Sequence, residues 1–370
     1  MVSKKERILR TFNYEEIDRP AIYDKIHSLK FIEHIFGHSI NSLNSEDAIC
    51  NVISKTCDMT RHVVVPKDLN VYKLIDDDNF VYKIYWNTKE IIGRPFKTLK
   101  EAKELVKKDI FKIREAMVNK RFCNQAKWHL NLFDEKFEYP EELNIEFARI
   151  QDRMNGTVMV APEFFDGLGP ITTRYNYDIF IYLYHDYPEL MHDLLQTHCE
   201  YQLFRIDNFE GPSLSPIALL GTAVSGVQGL IFSPNFLYKE FFPFVKKIAN
   251  KLKEKGYKVI LEMEGNVKEV LEDIVKVGID AYTPIEEKSG MSIKYIKEKY
   301  PKLVLAQNID STQLLTYGNK NEVLSKTEEI IKLAKKFGGI LIGSSGDINE
   351  EVNVENALIM INTVKNAIFD

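Results

Sequence analysis

Two glutamates two residues apart, in Glu262-Met263-Glu264-Gly265-Asn266, close the apolar run Tyr257–Met263. In an extended strand residues i and i+2 face the same side, so both carboxylates would point into one cavity. Two like charges that close together cost energy unless a cation or a shared proton relieves them. The pair therefore suits oxygen ligands of a divalent metal, or an acid/base pair with one raised pKa. It also suits strand-end carboxylates that are solvated or salt-bridged, and an Arg or Lys bridging the two would mark them as structural. Other apolar runs end in Asp24, Glu163, Ser225, Glu286 with Glu287, Gln307 with Asn308, and Ser344 with Ser345. A run that merely leaves a core can end in any polar residue, but here carboxylates recur. Glu262, Glu264 and Glu286 are thus the expected catalytic residues, and Glu163, Gln307, Asn308 and Asp24 the expected substrate contacts. Glu262 and Glu264 are the expected metal ligands.

Several other chemistries lack their residues. His185 sits in the aromatic stretch Tyr182–Tyr187 and reads as structural, while His192 and His198 are spaced poorly for one metal. There is no Gly-x-Ser-x-Gly elbow and no phosphate loop with Gly-Lys-Ser/Thr, which removes support for serine nucleophiles and nucleotide hydrolysis. The chain of 370 residues carries a net charge of −5 and no long basic run, so nucleic-acid binding has little electrostatic basis. No apolar stretch approaches a membrane span, and the N-terminus has no signal-peptide core. Cys50, Cys57, Cys123 and Cys199 are widely spaced and read as reduced structural cysteines of a cytoplasmic protein.

The elements that must position the acids read as alternating strands and helices. Ser3–Asn13 is a predicted helix, Pro20–Ile26 a strand ending near Asp24, and Ser45–Thr56 a helix capped by Ser45. Val71–Thr88 alternates around Asp76–Asn79 like a hairpin, and 97–153 looks helical. From Thr157 the pattern is regular. Strands are predicted at 157–160, 217–224, 257–263, 279–284, 302–309 and 340–343, and helices at 188–208, 233–255, 267–277, after Asp310 or Ser311, and at 354–369. Near-continuous apolar runs with short connections imply a parallel sheet covered on both faces. No Gly-x-Gly-x-x-Gly loop follows any strand, which favours a (β/α)8 barrel over a dinucleotide fold. The expectation is a single α/β domain over 1–370, a TIM-type barrel with N-terminal helical and hairpin additions inserted at about 66–150. In such a barrel catalytic groups project from the C-terminal strand ends.

Five motifs, in order, resemble the uroporphyrinogen decarboxylase superfamily: Lys5-Glu6-Arg7 through Asn13-Tyr14-Glu15 to Asp18-Arg19-Pro20; Gly229–Pro234; Pro284-Ile285-Glu286 with Ser289-Gly290-Met291; Asn308-Ile309-Asp310; and Val354-Glu355-Asn356. The resemblance implies one (β/α)8 barrel and either a tetrapyrrole decarboxylase or a cobalamin-dependent methyltransferase. The decarboxylases grip substrate carboxylates with an Arg-rich N-terminal motif. This chain has Asp24-Lys25-Ile26-His27 there, so uroporphyrinogen does not fit. The methyltransferases hold zinc through His-x-Cys and a distant Cys. The first pair aligns with Glu262 and Glu264, and the distant position falls near Gly346. The resemblance therefore implies demethylation of a small O- or N-methyl substrate, with transfer to cobalamin on a partner corrinoid protein. A decarboxylase or lyase of another substrate, and a non-catalytic binding barrel, are the alternatives. A carboxylate site is harder than a thiolate-activating zinc site. It would protonate the leaving heteroatom, bind it to a divalent metal, or hold a cationic amine.

Overall fold

Six parallel strands, hydrogen-bonded to one another in chain order, form the main sheet: Ala161–Phe165, Ile217–Gly221, Lys258–Glu262, Ala281–Thr283, Val304–Ala306 and Ile340–Leu341. The computed structural model describes residues 2–66, 68–126 and 137–369. Parallel single-residue bridges join Ile22 to Ile342 and Tyr23 to Met59. Met59–Thr60 pairs in parallel with Val158–Met159, just before Ala161–Phe165.

Alternation along these strands feeds two separate cores. Ile217, Leu219, Ile260, Ala281, Val304, Ala306 and Leu341 pack together with Tyr23, Met59, Val158 and Val160. Their neighbours Ala218, Leu220, Val259, Leu261, Tyr282, Leu305 and Ile340 pack instead against the helices. Both faces are apolar because both are covered, as parallel strands require. Ile8 and Phe12 of helix Lys4–Asn13 join the inner cluster. That helix starts where expected, with the Ser3 side chain accepting the Glu6 N–H.

Several expected boundaries moved. The hairpin read over 71–88 is the first part of a three-stranded antiparallel sheet, Tyr72–Ile75, Val81–Ile84 and Lys89–Gly93. The helix read from Ser233 to Lys255 breaks into Pro234–Glu240 and Phe242–Glu254, because Pro243 has no N–H for the carbonyl four residues back. Ser45 is the first residue of its helix rather than its cap. Helices Leu99–Val118 and Pro140–Arg153 occupy most of 97–153, and the 127–136 part of that reading lies outside the described residues. Helices Leu29–Phe36, Leu168–Tyr175 and Tyr177–Asp186 were not read at all.

The inserted sheet is tied down by a buried ion network. Arg174 donates to both oxygens of Asp109, at 2.6 and 2.9 Å, and stacks 4.2 Å over the Phe80 ring. Asp78 takes Lys108 and Lys112, each at 2.7 Å. Among the described residues all four cysteines are free and buried, and no helix is long and apolar enough to cross a membrane.

Asp166 follows the first strand of the main sheet and is 1% exposed. Its Oδ1 accepts the Gly169 N–H at 3.2 Å, and its Oδ2 has no partner among the described residues. Burial pushes this carboxyl up to about 7. An acid raised above its unfolded pKa stabilises the fold fully below the unfolded value, and that contribution is lost as pH rises through the folded value. Relative to the parent, Asp166→Asn should therefore gain about 2–3 kcal/mol of stability between about pH 5 and pH 8. Urea unfolding of both proteins across that range measures it, and a pH-independent difference would contradict the burial of this acid.

Candidate active site

The C-terminal ends of the parallel strands gather a ring of ionisable side chains. Glu262 is the last residue of its strand, two residues past Ile260 of the inner core. Its neighbour in register, Gly221, leaves it room: a Cβ there would lie 3.0 Å from Phe165 and 3.5 Å from Glu262 Oε2. Arg61, just past Met59–Thr60, donates Nη1–H to Glu262 Oε1 at 2.5 Å and Nε–H to Glu163 Oε1 at 2.5 Å. His62 Nδ1 lies 3.1 Å from the same Glu163 oxygen. One guanidinium thus holds two carboxylates from two other strands.

The two acids do not share it equally. Burial opposes the charge on Glu163, but Arg61 and His62 outweigh it and hold this carboxyl well below its usual range. Burial likewise raises Glu262, Arg61 pulls the other way, and the neighbouring Glu163, Glu264 and Asp347 add to the rise, leaving it at about 7. Glu264 is raised as well, by burial and then by Glu286 and Asp347.

The expected same-face pair is altered. The strand stops at Glu262 and Glu264 lies on the loop beyond, with Met263 fully buried between them and the outer part of the Glu264 side chain open to solvent. That loop is fixed by Gly265 at φ 82°, whose N–H donates to Glu286 Oε2 at 2.7 Å. A side chain at this glycine would collide with the Gly226 backbone, 2.2 Å from a Cβ. An arginine does bridge Glu262, but to Glu163, and Glu264 has no ion pair among the described residues.

The remaining expected contacts divide. Asp24 is fully buried and accepts the Ser344 N–H and Oγ–H at 2.9 and 2.6 Å and the Lys25 N–H at 2.9 Å. Gln307 accepts the Thr283 hydroxyl at 2.9 Å, buried behind the strand ends. Asn308 donates Nδ2–H to Leu341 O at 3.0 Å while its Oδ1 is buried without a partner. Asp24 and Gln307 are thus taken up by the protein's own groups, whereas Asn308 keeps an unpaired Oδ1 and Glu286 has no ion pair among the described residues.

Five charged or titratable groups at the mouth went unread: Arg61, His62, Lys25, His27 and Asp347. Lys25 Nζ and His27 Nδ1 stand 3.6 and 3.8 Å from Asp347. The inserted sheet reaches this wall, with Trp86 edge-on to His27 at 5.9 Å between ring centroids. The signal that could have found Arg61 was Met59-Thr60-Arg61-His62, a strand only two residues long and too short for any periodicity.

The donor set does not fit zinc. The thiol and imidazole ligands are replaced, Glu262 is engaged by Arg61, and among the described residues no three His, Cys, Asp or Glu side chains group to hold a metal.

Residues 223–367 match the uroporphyrinogen decarboxylase family model. Over that part the chain is similar to the uroporphyrinogen decarboxylase family. Four of the five motifs fall within that match, and only the one at Lys5–Pro20 lies before it. A methyltransferase from Methanosarcina mazei superposes with a TM-score of 0.66 at 14% identity, covering 99% of this chain and 99% of that one. At that identity the likeness shows the fold. A putative vitamin-B12-independent methionine synthase from Listeria monocytogenes gives a TM-score of 0.40 at 11% identity over 74% of this chain and 90% of that one, too low to carry an argument. No curated protein matches the chain by sequence.

Proposed function

We propose that the protein is a methyltransferase that demethylates a small O- or N-methyl compound and passes the methyl group to a corrinoid carried on a partner protein. Its frame is one closed (β/α)8 barrel over residues 1–370, a reading supported by the strand bridges at Ile22 and Tyr23 and by the separate inner core. Four free, buried cysteines agree with a cytoplasmic setting.

The observation that carries the reading is Glu262. A half-buried carboxyl at about 7, beside other acids at the C-terminal strand ends, is poised to give up a proton near neutral pH. When a methyl group leaves an ether, the oxygen keeps the bonding electrons and must be protonated to depart as a neutral hydroxyl. Glu262 supplies that proton, and Arg61, anchored by Glu163, fixes the direction of its carboxyl. The corrinoid would supply the nucleophile that takes the methyl group. A decarboxylase that grips polycarboxylates with arginine has less support, since Arg61 is already occupied by two glutamates.

Purified protein mixed with cob(I)alamin and a panel of small methyl ethers and methylamines tests this. Loss of the cob(I)alamin absorbance with one class of donor is the expected result. No transfer from any donor, together with release of carbon dioxide from a carboxylic acid, would replace this reading with the decarboxylase.

A further inference from the structure

A cavity of about 210 Å³ opens beside the mouth, lined by Ile285, Glu286, Lys288, Asn308, Asp310 and Lys326 among others. Its charges are unevenly matched. Lys288 is paired with Asp310, and Lys326 with Glu287 at 2.7 Å and Glu329 at 3.0 Å. Glu286 has no cationic partner among the described residues, and the hydrogen bond it accepts is the Gly265 N–H on Oε2.

Asn308 adds a second, independent mark. It is 4% exposed. Its Nδ2–H bond to Leu341 O fixes which way the amide points, since a carbonyl can only accept. Oδ1 is left as a buried acceptor without a donor. Buried polar groups are rarely left unpaired without a reason. The cavity thus presents a carboxylate without a cationic partner and a residue with an unfilled acceptor, while its two lysines, Lys288 and Lys326, are each paired with carboxylates. The complementary ligand is a hydrogen-bond donor carrying positive charge.

We propose that this cavity binds the protonated amino group of a small amine, with Glu286 supplying the countercharge and Asn308 Oδ1 accepting an N–H. That this amine is the methyl-bearing substrate rests on the methyltransferase reading, whereas its binding does not. The volume suits an alkylammonium of a few heavy atoms. Ile285 offers the apolar wall for its carbon.

The probes are isopropylammonium and its neutral isostere 2-propanol, titrated by NMR against the full chain. Isopropylammonium is expected to bind in the millimolar range, the scale of a four-atom ligand, and 2-propanol about tenfold more weakly. Glu286→Gln and Asn308→Leu should each weaken the ammonium about tenfold, and Glu298→Gln, at an exposed site outside the cavity, should not. Lys326→Met removes a competing cation and should tighten it severalfold, a gain that misfolding cannot imitate. Equal binding of the two probes, or an unchanged affinity in Glu286→Gln, overturns the assignment. Ammonium binding without methyl transfer from N-methylisopropylammonium to cob(I)alamin keeps the cavity and removes the methyltransferase. Methyl transfer from an ether with no ammonium binding does the reverse.

Discussion

Glu262→Gln is expected to lower methyl transfer about 100-fold or more, the scale of a lost general acid, in a chain that stays folded. Gln keeps the shape and a carbonyl oxygen where Arg61 Nη1 now donates at 2.5 Å, so the guanidinium retains an acceptor. It removes the proton that a carboxyl at about 7 can give. The parent enzyme should therefore lose activity toward an ether donor as pH rises through about 7, because the reactive form is the protonated one. In the Gln variant that limb should be absent and the residual rate flat. Initial rates at matched folded fractions, checked by circular dichroism, decide the matter. A Gln variant with full activity, or a parent rate that climbs through neutrality, would remove Glu262 from the chemistry and assign the proton to another group at the mouth.

The second large effect is on stability. Arg61→Met should cost about 3–5 kcal/mol near neutral pH, because it leaves Glu163, 3% exposed, as a buried charge with His62 as its remaining ion-pair partner among the described residues. Glu163 is held below its usual pKa, so its stabilisation is present above the ordinary carboxylate range and is lost as pH falls through the lowered value. Without Arg61 that stabilisation is gone, so the deficit should be largest at neutral pH and shrink toward about pH 4, where both acids can take protons. Adding Glu163→Gln to Arg61→Met should recover much of the loss. Urea midpoints at two pH values measure this. A deficit below about 1 kcal/mol, as for an exposed pair, would show that the guanidinium is not what holds the mouth together.

The strand ends were legible because they depend on local pattern. Near-continuous apolar runs placed Glu163, Glu262, Glu286, Gln307 and Asn308 at one end of the sheet, without any knowledge of their neighbours. Local pattern failed where an element is too short to have a period, as at Met59–Thr60, and so Arg61 was missed. Nor did it show that Gly265, in a left-handed conformation just past Glu264, turns the chain so that its N–H reaches Glu286.

The sequence by itself determined the order of strands and helices and the supply of carboxylates at the C-terminal ends, because both follow from spacing within a few residues. Only the tertiary structure decided which carboxylate is charged and which is poised. That choice depends on one guanidinium separated by 102 residues from Glu163 and by 201 from Glu262. The charge on a buried acid is set by what stands within a few ångströms of it, and chain spacing carries no information about that distance.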